Sequence, residues 1–137
     1  MNEQLVTFLG NLSEFLIFFL VASVLVLLFV FVYTRVTRHN ELDLIKKNST
    51  AAAVAFSGSL IGFALPLAST MINSVNVIEL ALWGGIALIV QVLVYLLIRL
   101  PMPRISERIE ADEVAAGIWL GACSMVAGIL NAASMTN

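Results

Sequence analysis

Four long stretches of this chain carry no side chain that is charged at neutral pH, and that single feature confines most of the polypeptide to a lipid bilayer. Residues 15–32, 51–72, 80–98 and 114–135 contain no Asp, Glu, Lys, Arg or His. A helix needs about 20 mostly apolar residues to cross the hydrocarbon core, and one charge at mid-depth costs about 2.5–3.5 kcal/mol. Transmembrane helices are therefore expected over 13–33, 50–72, 78–98 and 114–135. They define an all-α integral membrane protein, one membrane domain over 1–137, with loops at 34–49 and 99–113. Composition agrees. With 61% hydrophobic and 12% charged residues, too little polar surface exists to cover a water-soluble core, so the apolar excess faces lipid.

The basic residues set the expected direction. Arg35, Arg38, Lys46 and Lys47 lie between the first two spans, Arg99, Arg104 and Arg108 between the last two, and there are no others. The positive-inside bias puts both loops in the cytoplasm and both termini in the periplasm. The start, Met1-Asn2-Glu3-Gln4, is acidic where a signal peptide begins with positive charge, and no small-residue cleavage site follows, so retention is expected. Leu5, Phe8, Leu9 and Leu12 recur at helical spacing. The first dozen residues are thus expected either to lie on the outer interface or to extend the first helix.

A shift of 63 residues places Ala52-Ala53 on Ala115-Ala116, Phe56 on Trp119, Gly58 on Gly121, Ala64 on Ala127 and Leu67 on Leu130. Two duplicated helical hairpins are expected, 13–72 and 78–135, related by a pseudo-two-fold along the membrane normal. Each loop holds a short helix candidate, 40–47 with Leu42 and Ile45 on one side, and 103–110 with Ile105 and Ile109. Both are expected on the inner membrane surface. Asn48-Ser49-Thr50 and Asp112-Glu113 precede the second and fourth spans and read as caps for the helices that follow them.

The first and third spans are dominated by Leu, Val, Ile and Phe all round, as outer helices require. The other two carry small residues near one face: Ala55, Gly58, Gly62, Pro66 and Ser69 on the second, and Gly117, Gly121, Ser124, Gly128 and Asn131 on the fourth. Such faces either let helix backbones approach closely or, in an assembly, line a central path. Pro66 frees a carbonyl one turn earlier and predicts a kink. Gln91, Tyr95 and Asn131, the most polar side chains inside the spans, are each expected to find a partner on another helix. Trp83 and Trp119 fall near opposite membrane interfaces.

Several classes are disfavoured. A net charge of −2 offers no clustered basic excess for nucleic acid. The single histidine, His39, has no second His or Cys near it in sequence to share a metal, and no serine has an evident base partner. No phosphate-binding loop surrounds Gly84-Gly85, and the lone Cys123 reads as a small apolar-environment residue. No cofactor is expected, and an enzyme is the least expected class.

His39-Asn40-Glu41 followed by Leu44-Ile45-Lys46, Thr50-Ala51-Ala52 and Ala55-Phe56-Ser57-Gly58 resembles the YjfL-like bacterial inner-membrane family, domain of unknown function 350. The resemblance continues through Trp83-Gly84-Gly85-Ile86-Ala87, Ala115-Ala116-Gly117 and Asn131-Ala132-Ala133. It implies a Gram-negative inner-membrane protein of four spans with a duplicated two-helix domain. Relatives found among envelope-stress genes, near phage-shock-protein-A-like proteins, further imply a partner at the membrane surface.

Two functions follow as expectations. One is a homo-oligomeric, channel-like or transport-related protein whose small-residue faces meet around an axis. The other is a structural adaptor that presents Arg35, Arg38, Lys46, Lys47, Arg99, Arg104 and Arg108 to a cytoplasmic stress-response partner or to anionic lipid, at about 1 kcal/mol per base near a charged surface.

Overall fold

A computed structural model describes residues 2–135, and it is entirely helical: α1 (Glu3–Val36), α2 (Glu41–Lys46), α3 (Thr50–Asn73), α4 (Val77–Ile98), α5 (Ile105–Glu110) and α6 (Val114–Met135). The four long helices are apolar and long enough to cross a membrane. The starts of α1 to α4 are fixed by local chemistry. Asn2 accepts from the Gln4 amide, Asn40 from Asp43, Ser49 from Ala52 and Asn76 from Glu79, which satisfies donors that the first turn leaves free.

Of the two arrangements open to the first dozen residues, α1 takes the second. It is one continuous helix of 34 residues, about 51 Å at 1.5 Å per residue, so it exceeds the ~30 Å hydrocarbon thickness. Residues 2–17 are exposed throughout, whereas Ala22, Leu25, Phe29 and Tyr33 face the bundle.

The bundle is organised by α3 and α6. Ser59 bonds to Ser124 and Ser69 to the Ala132 carbonyl, so the two helices advance together and run parallel. Their glycines form the seam. A Cβ added at Gly58 would collide with the Gly121 backbone, at Gly117 with Ala51, and at Gly128 with the Gly62 carbonyl. Only hydrogen in place of a side chain permits this approach. α3 continues unbroken through Pro66, and the carbonyl that proline leaves without its usual donor, that of Gly62, lies against Gly128.

α1 and α4 cover one side of this pair. Phe29 stacks on Phe63 with centroids 4.6 Å apart, Leu25 fills the space above Gly84, and Leu80 is fully enclosed. Both α3 and α4 meet all three other spans, and α3 is the most enclosed of the four. The fourth span, α6, keeps an outer side of Ile118, Trp119, Val126, Ile129 and Leu130, so it is less central than its small-residue face suggested. Trp83 and Trp119 are both exposed, near the starts of helices that begin at opposite ends of the bundle.

Both connections end the same way, 64 residues apart. Asn48 and Asp112 adopt left-handed backbone, φ 68° and 59°. Asn48 N bonds to Ile45 O and Ser49 N to Leu44 O, as Asp112 N does to Ile109 O and Glu113 N to Arg108 O. This is the Schellman termination, with Asn and Asp, the non-glycine residues that best tolerate αL, at the key position. The turn redirects a side chain: Asp112 does not cap α6, which it precedes, but reaches across to accept from Ser49 Oγ (3.2 Å) and the Ala51 amide (2.9 Å) at the start of α3. Asp112→Ala is therefore expected to lower bundle stability by about 1–2 kcal/mol. Increased amide exchange should appear at the start of α3 rather than that of α6.

Candidate functional site

The polar side chains inside this bundle are concentrated towards the end that carries the basic loops, where they draw on all six helices. On α1, Tyr33 pairs with Ser59 of α3 at 2.8 Å; Ser59 meets Ser124 Oγ of α6 at 3.2 Å, and Gln91 Nε2 of α4 donates to the Ser124 carbonyl at 3.1 Å. Tyr33, Ser59, Gln91 and Ser124 are all enclosed. Isolated hydroxyl and amide groups are costly in an apolar interior, and mutual bonding offsets that cost.

Nearer the basic end, Tyr95 stands edge-on to Tyr33, with ring centroids 6.0 Å apart. Its hydroxyl lies 2.6 Å from Ser106 Oγ of α5 and accepts from the Arg38 amide at 3.3 Å. Ser106 in turn meets His39 Nδ1 at 2.9 Å, and His39 Nε2 lies 3.3 Å from Glu41 Oε1, which also receives the Thr37 hydroxyl. His39 and Glu41 are 2% and 0% exposed, which makes them the two buried groups here whose charge is at stake. Burial pushes the imidazole down to about 4 and pushes the Glu41 carboxyl up. Both shifts favour a neutral pair. Glu41 Oε2 is enclosed without a partner.

This cluster changes two expectations. Ser106 does have a base partner, His39, although 67 residues separate them. The loop helices also do not lie flat on the surface: Ile105 and Ile109 of α5 are fully buried, and α2 turns Leu44 and Ile45 towards the core while Leu42 stays exposed. Together α2 and α5 form a cap across the basic end.

The small-residue face is brought together as a seam within one chain. Ala55, Gly58, Gly62, Pro66, Gly117, Gly121, Ser124 and Gly128 are buried, Ser69 is half-buried, and Asn131 is half-buried with an enclosed Nδ2 that has no partner. Gln91 and Tyr95 do find partners on other helices, through Ser124 and Ser106. The seven bases divide into two sets. Lys47 pairs with Asp43 (3.1 Å), Arg104 with Glu107 (3.9 Å) and Arg108 with Glu113 (3.1 Å). Among the described residues Arg35, Arg38, Lys46 and Arg99 make no ion pair; Arg35 stacks over Phe31 and Arg99 over Tyr95. Arg35 and Arg38 border an open cavity of about 330 Å³ with Thr34, Thr37 and Asn40. No group of three or more His, Cys, Asp or Glu that could hold a metal occurs among the described residues.

Four apolar helices, a glycine seam and polar groups gathered at one end define a multi-pass helical membrane protein. The chain belongs to the DUF350 family, described as a Domain of Unknown Function, whose model matches residues 7–135. It is 45% identical over 128 residues to UPF0719 inner membrane protein YjfL of Escherichia coli (strain K12), covering 93% of this chain and 97% of the relative. The protein of the same description from Escherichia coli O157:H7 matches to the same extent. No solved structure matches. Helices and relatives together support a multi-pass inner-membrane location.

Proposed function

We propose that this protein is a membrane-embedded, non-enzymatic adaptor that recruits an acidic partner surface to its basic cap on the cytoplasmic side, with both termini periplasmic. The observation that carries this reading is the placement of Arg35 and Arg38. They are exposed and free of ion pairs, and they flank one cavity. The segment that holds them is anchored through Arg38 N, His39 and Glu41 to Tyr95 and Ser106. Pre-organisation of this kind lowers the ordering cost of binding. Bases already committed to Asp43, Glu107 and Glu113 have less attraction left to offer.

Photo-crosslinking from the cavity rim, followed by identification of the captured protein, provides the assay. Combined Arg35→Gln, Arg38→Gln and Lys46→Gln replacement should reduce capture of that protein at least tenfold. Replacement of the ion-paired Lys47, Arg104 and Arg108 should leave it within about twofold, since exposed pairs are worth ~0–1 kcal/mol. Equal loss in both sets, or none in either, would refute the adaptor reading.

A homo-oligomeric, channel-like assembly is the second reading. Its support is the uncovered side of the α3/α6 pair, an open apolar groove formed by Ala53, Val54, Ser57, Ile61, Ile118 and Ala122. Among the described residues the seam is closed by backbone contact, Gly58 on Gly121 and Gly128 on Gly62, so a conducting route would run between copies. The two halves read as duplicated hairpins, a proposal supported by their equivalent loop turns. Liposome flux separates the readings: the adaptor conducts nothing.

A further inference from the structure

One set of proton positions around His39 keeps the ring neutral and pairs each donor from Arg38 through Tyr95 and Ser106 to the imidazole. Arg38 N–H donates to Tyr95 O. Tyr95 O–H can then donate to Ser106 and Ser106 O–H to His39 Nδ1, and His39 Nε2–H points at Glu41 Oε1. In this arrangement each of these four donors has an acceptor and the imidazole is neutral, a tautomer assigned from the network. A second proton on the ring, at Nδ1, breaks it. Ser106 would have to accept from His39 and find a new acceptor for its own hydrogen. Turning Tyr95 to accept that hydrogen only moves the orphan to the phenol, whose other neighbour, the Arg38 amide, is itself a donor. Protonation therefore strands one buried donor wherever the chain is reset, and it places a positive charge in a site with no exposed surface.

We propose that the His39–Ser106–Glu41 cluster is a proton-binding site, and that uptake of a proton by His39 undocks α2 and α5 from the basic end of the bundle. Both caps are tied through this cluster: Ser106 belongs to α5, Glu41 to α2, and Tyr95 to the α4 span they cover. The groups facing the pair are few. α1 presents Tyr33 and the Thr37 that follows it, α4 presents Tyr95 with Arg99 over its outer face, and α5 presents Ser106. α3 and α6 contain no Asp, Glu, Lys, Arg or His. On α2 the other ionisable groups, Asp43, Lys46 and Lys47, are exposed. The buried pair thus has no fixed carboxylate besides Glu41 to stabilise an imidazolium. A proton relay across the bundle is a poorer reading, because beyond Gln91 the interior is closed by Phe29, Phe63, Leu67 and Leu80.

The sign follows from burial. A docked imidazole held down at about 4, against 6.5 when free, binds a proton roughly 300-fold more weakly than an undocked one. Its contribution to docking is complete above about pH 6.5 and is lost as pH falls towards 4. The chain has one histidine, so ring nitrogen shifts of the full-length protein in nanodiscs, labelled with ¹⁵N-histidine, report this site alone. Amide exchange measured alongside follows residues 37–47 and 103–112. Expected are a neutral ring with Nε2 protonated at pH 7, resistance to protonation through pH 6, and joint exposure of the two segments as the ring titrates. Glu41→Gln should keep this acid step. Titration near 6.5 without change in exchange, protonation with both segments still protected, or loss of the acid step in Glu41→Gln would each overturn the proposal.

Discussion

Gly128→Ala is expected to cost about 3 kcal/mol or more and to part α3 from α6, because the added methyl would fall well inside van der Waals contact distance of the Gly62 carbonyl oxygen. A side chain in that position could rotate away; a carbonyl in a transmembrane helix cannot move without its helix. The Gly62 carbonyl is also the one that Pro66 leaves without its usual donor, so separation exposes an unsatisfied acceptor in hydrocarbon. Gly85→Ala is the matched control, since nothing lies within 4 Å of its added Cβ. That change should be neutral or stabilising by up to about 1 kcal/mol through helix propensity. Unfolding in mixed micelles by SDS titration measures both. Similar stability of the two variants would mean that the seam is not the close contact described.

The second large effect concerns Glu41. Glu41→Ala removes the acceptor of the His39 and Thr37 donors and opens a void under α2, for an expected loss of about 2–4 kcal/mol. Glu41→Gln retains shape and an acceptor oxygen, so most of that loss should be recovered. The two also separate in pH dependence. Burial raises the Glu41 carboxyl above its ordinary 4.5, so its stabilising contribution is complete below the ordinary carboxylate range and declines as pH rises through the raised value. In Glu41→Gln that alkaline decline should disappear. A decline of unchanged size, followed by the same unfolding titration from pH 5 to 9, would show that Glu41 is not its source.

The spans and the basic end were legible in the chain because membrane insertion acts on local windows of sequence: charge-free runs of 18 or more residues, and bases confined to two loops, need no knowledge of what packs on what. The same locality accounts for the Ser49 cap, and for α2 and α5 as short helices, read from Leu42 and Ile45 and from Ile105 and Ile109. The small-residue faces were legible as faces. Whether they line a path or close on each other depends on the partner surface, and the structure brings Gly58 to Gly121 and Gly128 to Gly62 within a single chain. Asp112 shows the limit most clearly. It precedes α6 and looks like its cap, yet left-handed backbone turns its carboxylate onto α3. Likewise, His39 and Ser106 carry no pattern in sequence, and only the packing of α5 over Tyr95 makes them neighbours. Sequence by itself determined the solvent of each segment, because hydrophobic transfer free energy accumulates residue by residue. Tertiary structure alone decided which polar groups meet, because a hydrogen bond needs two partners within about 3 Å and side-chain composition does not encode that distance.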